Sequence, residues 1–188
     1  MTIELKNICK SFEGKEILRD VSAVFKTGIT CVMGQSGIGK TTLAKIIAGL
    51  IVPDSGELSF SKPAENLKFS AVFQEDRLLD WETALGNVLF VNPDRERAVA
   101  FLNEAELGEN LHKKAADLSG GMRRRVCICR ALIADYDVLI LDEPFKGLDV
   151  GLKISIMQMV KTHARGIVIC ITHDEGEAEF LGGDKFVF

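Results

Sequence analysis

The sequence has no long hydrophobic run, no excess of basic charge and no signal peptide at its first residues. Its apolar stretches fall well short of the about 18 residues that a membrane-spanning helix requires. With 23 Lys and Arg against 27 Asp and Glu, the formal net charge is −4, so no basic field attracts the chain to nucleic acid. The only basic cluster, at residues 123–125, lies in a helical pattern and is predicted to be a solvated helix face. We therefore expect a cytoplasmic protein without a nucleic-acid partner.

The five cysteines do not have the pattern of a disulfide framework or of a zinc site. Their number is odd, and they are dispersed over positions 9, 31, 127, 129 and 170. Cys31 and Cys170 lie in apolar runs that are typical of buried strands, so both are predicted to be buried free thiols.

The spacing of apolar residues predicts an α/β fold. Strand-like runs at 3–8 and 17–25 indicate a small antiparallel sheet. Helical spacing from 82 to 116 indicates an inserted helical subdomain. Elsewhere strands and helices alternate, which is typical of a parallel sheet with helices on its faces. The predicted strands are 29–33, 67–73, 138–141, 167–172 and 186–188, and the predicted helices are 42–50, 123–134, 154–163 and 175–181. Because the sequence ends at the last strand, we expect no C-terminal regulatory domain.

Residues 34–41 have the complete pattern G-x-x-x-x-G-K-[ST] of a phosphate-binding loop. The loop follows a predicted strand and precedes a predicted helix, which is the context that the motif requires. Backbone N–H groups of the loop and of the helix start can surround phosphate oxygens. Lys40 can reach the β- and γ-phosphates, and the hydroxyl of Thr41 can bind Mg²⁺. The predicted nucleotide-binding residues here are Gly34, Gln35, Ser36, Gly37, Ile38, Gly39, Lys40, Thr41 and Thr42.

Two acids, Asp142 and Glu143, follow the apolar strand 138–141. A buried parallel strand would place Asp142 at the edge of the sheet where the phosphate-binding loop lies. One carboxylate at this edge can hold Mg²⁺, and the next can polarise the water that attacks the γ-phosphate.

Residues 118–122, Leu-Ser-Gly-Gly-Met, are predicted to form a second glycine-rich helix start, with Ser119 as the N-cap. Such a helix start can bind phosphate. One chain has no evident use for two such sites on one nucleotide. In a pair of chains both sites could bind nucleotide, if the second site of each chain closes on the ATP of its partner.

The order of these motifs resembles the nucleotide-binding subunit of an ABC transporter over essentially all 188 residues. Phe12 matches the aromatic residue that stacks on adenine, Gln74 the Q-loop glutamine and His173 the switch histidine. Residues 118–122 are similar to the L-S-G-G-Q signature, and 147–149 to the D-loop. The resemblance implies further nucleotide contacts from Phe12, Gln74, Ser119, Gly120, Gly121 and Asp149. It also implies metal ligands at Thr41, Gln74 and Asp142, and catalytic roles for Lys40, Glu143 and His173.

The resemblance further implies a P-loop NTPase (RecA-like) core with a small antiparallel β subdomain and an inserted helical subdomain. One ABC ATPase domain would cover 1–188. In it, 1–77 and 126–188 would form the β subdomain and the core, and 78–125 the helical subdomain with the signature. The implied cofactors are ATP and Mg²⁺. The implied partners are a second ATPase subunit, as a homodimer when ATP is bound, an integral membrane permease and, indirectly, an extracytoplasmic substrate-binding protein. The permease would hold the chain at the inner face of the membrane.

The chain departs from the family pattern at a few positions. Met122 replaces the usual glutamine of the signature, and Lys146-Gly147 replaces the commoner Ser-Ala at the D-loop. The separation between Lys40 and Asp142 is also short for the family, which indicates trimmed loops or helices.

The segment 73–88 is similar to importers of the nitrate, sulfonate and taurine class, although Asp80 replaces their usual proline. In the family this segment leads to the groove that receives a helix of the permease. The main alternative function is that of a non-transport ABC-type ATPase. A nucleotide kinase or a small GTPase would share the phosphate-binding loop, but neither has a use for residues 118–122, and the guanine-reading Asn-Lys-x-Asp string is absent.

Overall fold

Eight strands form two sheets in the computed structural model, which describes residues 1–188. The first sheet has the order β2-β1-β4, and both pairings are antiparallel. The second sheet has the order β5-β6-β7-β3-β8, and all of its pairings are parallel. The strands are β1 (Thr2–Phe12), β2 (Lys15–Lys26), β3 (Gly28–Met33), β4 (Ser55–Phe60), β5 (Phe69–Val72), β6 (Val138–Asp142), β7 (Ile167–Ile171) and β8 (Asp184–Val187). The predicted parallel sheet and the predicted small antiparallel sheet are both confirmed.

The structure has six α-helices: α1 (Lys40–Ile47), α2 (Ala84–Leu89), α3 (Arg95–Glu104), α4 (Gly120–Ile133), α5 (Val150–His163) and α6 (Glu175–Leu181). Every residue of β6 and β7 is buried, because both faces of the sheet are covered. None of the helices has the length and apolarity needed to cross a membrane.

The two faces of the parallel sheet belong to different apolar cores. Leu139 and Cys170 face the core that contains residues of α2 to α6. Ile140 and Ile169 face the core that contains α1 and the antiparallel sheet. This division follows from the alternation of side chains along a strand. Cys31 and Cys170 are register partners on β3 and β7, and both are buried, as predicted.

Two helices, α4 and α5, begin earlier than the apolar spacing indicates, because a polar side chain caps them. The carboxylate of Asp149 accepts a hydrogen bond from the Leu152 amide at 3.1 Å, so α5 begins at Val150 rather than at 154. The Ser119 hydroxyl accepts one from the Met122 amide at 3.4 Å, and α4 begins at Gly120. Helix α1 begins directly after Gly39, whose left-handed φ of 112° ends the loop.

The prediction of a solvated face at the basic cluster is wrong for two of its three arginines. Arg124 and Arg125 are buried. The guanidinium of Arg124 donates to the carbonyls of Phe73 and Gln74, at 2.6 and 2.7 Å, and that of Arg125 donates to the Ala105 carbonyl at 2.6 Å. Loop carbonyls that are removed from water need such donors. The guanidinium group of one arginine can donate to two carbonyls.

Candidate active site

The loop between β3 and α1 closes on the ammonium group of Lys40. This group donates hydrogen bonds to the carbonyls of Gly34 and Gln35, at 2.7 and 2.9 Å. Gly39 combines a positive φ with a close approach to β2, since a Cβ there would lie 2.9 Å from the carbonyl oxygen of Ile17. Only glycine satisfies both conditions. The loop therefore holds a buried cation beside backbone groups that can face a phosphate.

Thr41 and Asp142 connect this loop to the end of β6. The Thr41 hydroxyl donates a 2.6 Å hydrogen bond to Oδ2 of Asp142. Burial raises the pKa of the Asp142 carboxyl, and the hydrogen bond from Thr41 opposes that rise. Oδ1 of Asp142 is buried without any hydrogen-bond partner. An unpartnered carboxylate oxygen beside a hydroxyl suits a hard divalent cation, which prefers oxygen ligands.

Glu143 lies next to this pair in a left-handed backbone conformation, with φ of 47°. Such a conformation is strained for a residue with a side chain and is frequent at active sites. Its Oε1 lies 3.3 Å from Nδ1 of His173, and its Oε2 lies 3.1 Å from Nζ of Lys146. Burial acts to raise the pKa of Glu143, but Lys146 and His173 outweigh it, so the pKa lies below its usual range. The carboxylate is therefore ionised at neutral pH.

An open cavity of about 400 Å³ brings together residues from four separate parts of the sequence. Phe12 lies at its rim, and Gln74, from the loop after β5, also lines it. Ile17 of β2 lines the cavity as well, although no sequence pattern singles it out. The complete lining is Phe12, Ile17, Ser36, Gly37, Gly39, Lys40, Thr41, Thr42, Gln74, Asp142 and Glu143.

The remaining predicted residues of the phosphate-binding loop shape it rather than line the cavity. Gly34 and Gln35 supply the carbonyls that bind Lys40. The side chain of Ile38 contacts the position of Gly34, at 3.4 Å from a Cβ built there. His173 lines a second, smaller cavity, and Glu143 separates that cavity from the first because it lines both.

The signature and the D-loop lie away from the cavity of their own chain. Ser119, Gly120 and Asp149 are exposed, and none of them lines it. Gly121 faces the D-loop, since a Cβ built on it would lie 3.6 Å from the side chain of Leu148. These residues form one exposed surface that is separate from the phosphate-binding loop.

Arg124 positions the Gln74 segment and was missed from the sequence. Besides its bonds to the two loop carbonyls, it lies 3.3 Å from the carboxylate of Asp76. Its neighbour Arg123 donates to the carboxylate of Asp80 at 2.8 Å. A buried arginine in a helix has the same local sequence pattern as an exposed one, so no signal was available to find it.

Comparison with known proteins agrees with a nucleotide-binding site at this cavity. The sequence model described as ABC transporter matches residues 18–146. The chain belongs to the ABC transporter family. It is an ATP-binding subunit of this family and an ATPase, which confirms the resemblance of the motifs and excludes a nucleotide kinase or a small GTPase.

Similar proteins match nearly the whole length of this chain. An aliphatic sulfonates import ATP-binding protein (SsuB) of Rhizobium johnstonii is 38% identical, and the match covers 95% of this chain and 70% of that protein. A taurine import ATP-binding protein (TauB) of Yersinia pestis is 34% identical, with 97% and 77% covered. The dimeric structure of MJ0796, a bacterial ABC transporter cassette, superimposes with a TM-score of 0.83 at 31% identity and covers 95% of this chain and 90% of that one.

Proposed function

We propose that this ABC ATPase energises the import of a small sulfonated organic compound through a separate membrane permease. The observation that carries the proposal is the similarity to sulfonate and taurine import proteins over at least 95% of the chain. The segment after Gln74 supports the same subclass, since it has the sequence pattern of that importer class.

ATP would bind in the 400 Å³ cavity. Phe12 would stack on the adenine ring, and residues 34–42 would surround the phosphates. Thr41, Gln74 and Asp142 would hold Mg²⁺, and the unpartnered Oδ1 of Asp142 supports this ligand set. When bound, Mg²⁺ neutralises charge on the β- and γ-phosphates.

Hydrolysis would use Glu143 to orient and polarise the attacking water. Lys40 would exchange its two loop carbonyls for oxygens of the γ-phosphate and stabilise the charge that develops there. His173 would fix the orientation of Glu143 through the 3.3 Å contact between Nδ1 and Oε1.

The catalytically competent form would be a homodimer with two composite sites. The exposed residues Ser119, Gly120 and Asp149, with the partly exposed Gly121, would complete the ATP site of the partner subunit. Two observations support this arrangement: these residues lie outside the cavity of their own chain, and a similar cassette is a dimer.

The permease would dock beside the helical segment. We propose that 78–125 act as a helical subdomain and that 1–77 and 126–188 form the β subdomain and the core, with α4 extending from one to the other. Trp81 and Phe90 are 71% and 74% exposed, and their apolar area suits a protein partner. Through the permease, the chain would lie at the inner face of the membrane and would act with an extracytoplasmic substrate-binding protein.

Growth of a gene deletion strain with taurine or an alkanesulfonate as the only sulfur source tests the proposal. The wild-type gene should restore growth on the sulfonate, and the Lys40→Ala variant should not. Sulfate serves as the control sulfur source, on which all strains should grow. Sulfonate growth of the uncomplemented deletion strain, or of the Lys40→Ala strain, would contradict the proposal.

A further inference from the structure

Both carboxylate oxygens of Glu143 lie close to cationic or proton-donating side chains of the same chain. Lys146 lies 3.1 Å from Oε2, and His173 lies 3.3 Å from Oε1. The side chain of Glu143 is only 11% exposed, so few other directions are open to it. Oε2 forms no hydrogen bond, so its contact with Lys146 is an ion pair only. The oxygens keep lone pairs for a water molecule, but the two contacts restrain the direction in which the carboxylate points.

The two partners line a different cavity from that of the phosphate-binding loop. Lys146 and His173 both line the second cavity, of about 200 Å³, and neither lines the cavity of the phosphate-binding loop. Glu143 lines both cavities. The ion pair with Lys146 therefore holds Oε2 towards the second cavity, whereas the proposed task of Glu143 is in the first.

Lys146 is the partner that can leave at low cost. Its side chain is 68% exposed, so water can solvate its ammonium group, and an ion pair with one solvated partner is weak. Lys146 also directly precedes Gly147, whose φ of 78° marks the turn of the D-loop. Any displacement of this loop changes the position of Lys146 relative to Glu143.

We propose that Lys146 is a positioning residue that holds Glu143 in a resting orientation, and that ATP hydrolysis requires its release. This inference rests on the proposed role of Glu143 in activating water. The release accompanies the docking of the partner subunit at the D-loop, which directly follows Lys146. Basal hydrolysis is then limited by the fraction of chains in which Lys146 has left the carboxylate.

Steady-state ATPase measurements on the full chain over a range of ATP concentrations test the inference. Lys146→Met keeps the length of the side chain without its charge, and it should raise kcat about threefold or more while KM stays within about twofold. Lys146→Arg keeps the cation and should behave like wild type. Lys146→Ser provides a second uncharged variant with the same expectation as Lys146→Met. Lys113→Met, at an exposed lysine without an ion pair, is the matched control and should leave kcat unchanged.

The inference is overturned if kcat is unchanged or lower in both uncharged variants, or if Lys146→Arg raises kcat as much as Lys146→Met. Thermal unfolding of each variant shows that it is folded. Glu143→Gln distinguishes a failure of the role of Glu143 from a failure of the restraint by Lys146. If Glu143→Gln hydrolyses ATP normally, the role of Glu143 itself is wrong. If it is inactive while Lys146→Met has wild-type kcat, only the restraint by Lys146 is wrong.

Discussion

The Thr41 hydroxyl and the Asp142 carboxylate form a 2.6 Å hydrogen bond across 101 positions of the sequence. The bond joins the first turn of α1 to the last residue of β6. It fixes the phosphate-binding loop against the acidic end of the sheet and leaves the other oxygen of Asp142 unpartnered. The site is thus assembled from two segments that are distant in the sequence.

Replacement of Lys40 should abolish most of the activity. Lys40→Ala removes the cation that would bind the γ-phosphate, so we expect kcat to fall by about two orders of magnitude or more. Phosphate release in a steady-state assay measures the change, with Lys113→Ala as the control at an exposed lysine. Near-normal turnover of Lys40→Ala would refute the assignment.

Glu143→Gln should separate binding from hydrolysis. The substitution keeps the shape of the side chain and removes the charge that would polarise water. We expect ATP binding close to wild type, very slow hydrolysis and accumulation of an ATP-bound dimer. Size-exclusion chromatography with light scattering and a fluorescent ATP analogue measure these properties. Loss of ATP binding would instead make Glu143 a structural residue or a direct metal ligand.

A composite site predicts partial complementation between two inactive variants. Lys40→Ala damages the phosphate-binding loop, and Ser119→Arg blocks the signature. A mixed dimer contains one site with both defects and one site with neither. We expect mixing to restore part of the ATPase activity, with a maximum near equal amounts of the two chains. If the mixture is no more active than the separate variants, either the composite arrangement is wrong or one intact site cannot turn over alone. A hydrolysis-deficient ATP-bound structure then decides the question by showing which chain places Ser119 at the γ-phosphate.

The bonds from Arg124 should contribute substantially to stability. Arg124→Met leaves the carbonyls of Phe73 and Gln74 without donors and removes the cation beside the half-buried Asp76. We expect a loss of about 2–4 kcal/mol in the free energy of unfolding, measured by chemical denaturation. Arg77→Met is the matched control, because Arg77 pairs with Glu75 on the surface and such pairs contribute about 0–1 kcal/mol. Equal stability of the two variants would refute the role of Arg124.

The thiols should differ strongly in reactivity. Burial raises the pKa of Cys127 to about 12 and that of Cys129 further, so neither forms a thiolate near pH 8. Cys31 and Cys170 are also buried, and only Cys9 is partly exposed. Alkylation of the native protein with iodoacetamide, followed by mass spectrometry, should modify Cys9 first. Rapid labelling of Cys127 without denaturant would contradict this expectation.

The parts of the site that local patterns define could be predicted from the sequence. The loop at 34–42, the acids after β6 and the sheet edge at which they meet follow from motifs of adjacent residues and from the rule that parallel strands end together. The predicted start of α5 at 154 is four residues too late, because the helix begins directly after the cap at Asp149. The burial of Arg124 and the lining of the cavity by Ile17 depend on tertiary neighbours. Periodicity carries no information about such neighbours.

Helix α4 carries the signature at its first turn and the arginine contacts to the Gln74 segment at its second. Ser119 and Arg124 are five residues apart, which corresponds to about 7.5 Å along a helix axis. Within so short a distance a helix behaves as a stiff rod, and its two attachments cannot shift independently. We expect that a displacement of the Gln74 segment by a membrane subunit moves the signature at the same time. Helix α4 would thus couple movement of the transported compound to closure of the dimer around ATP.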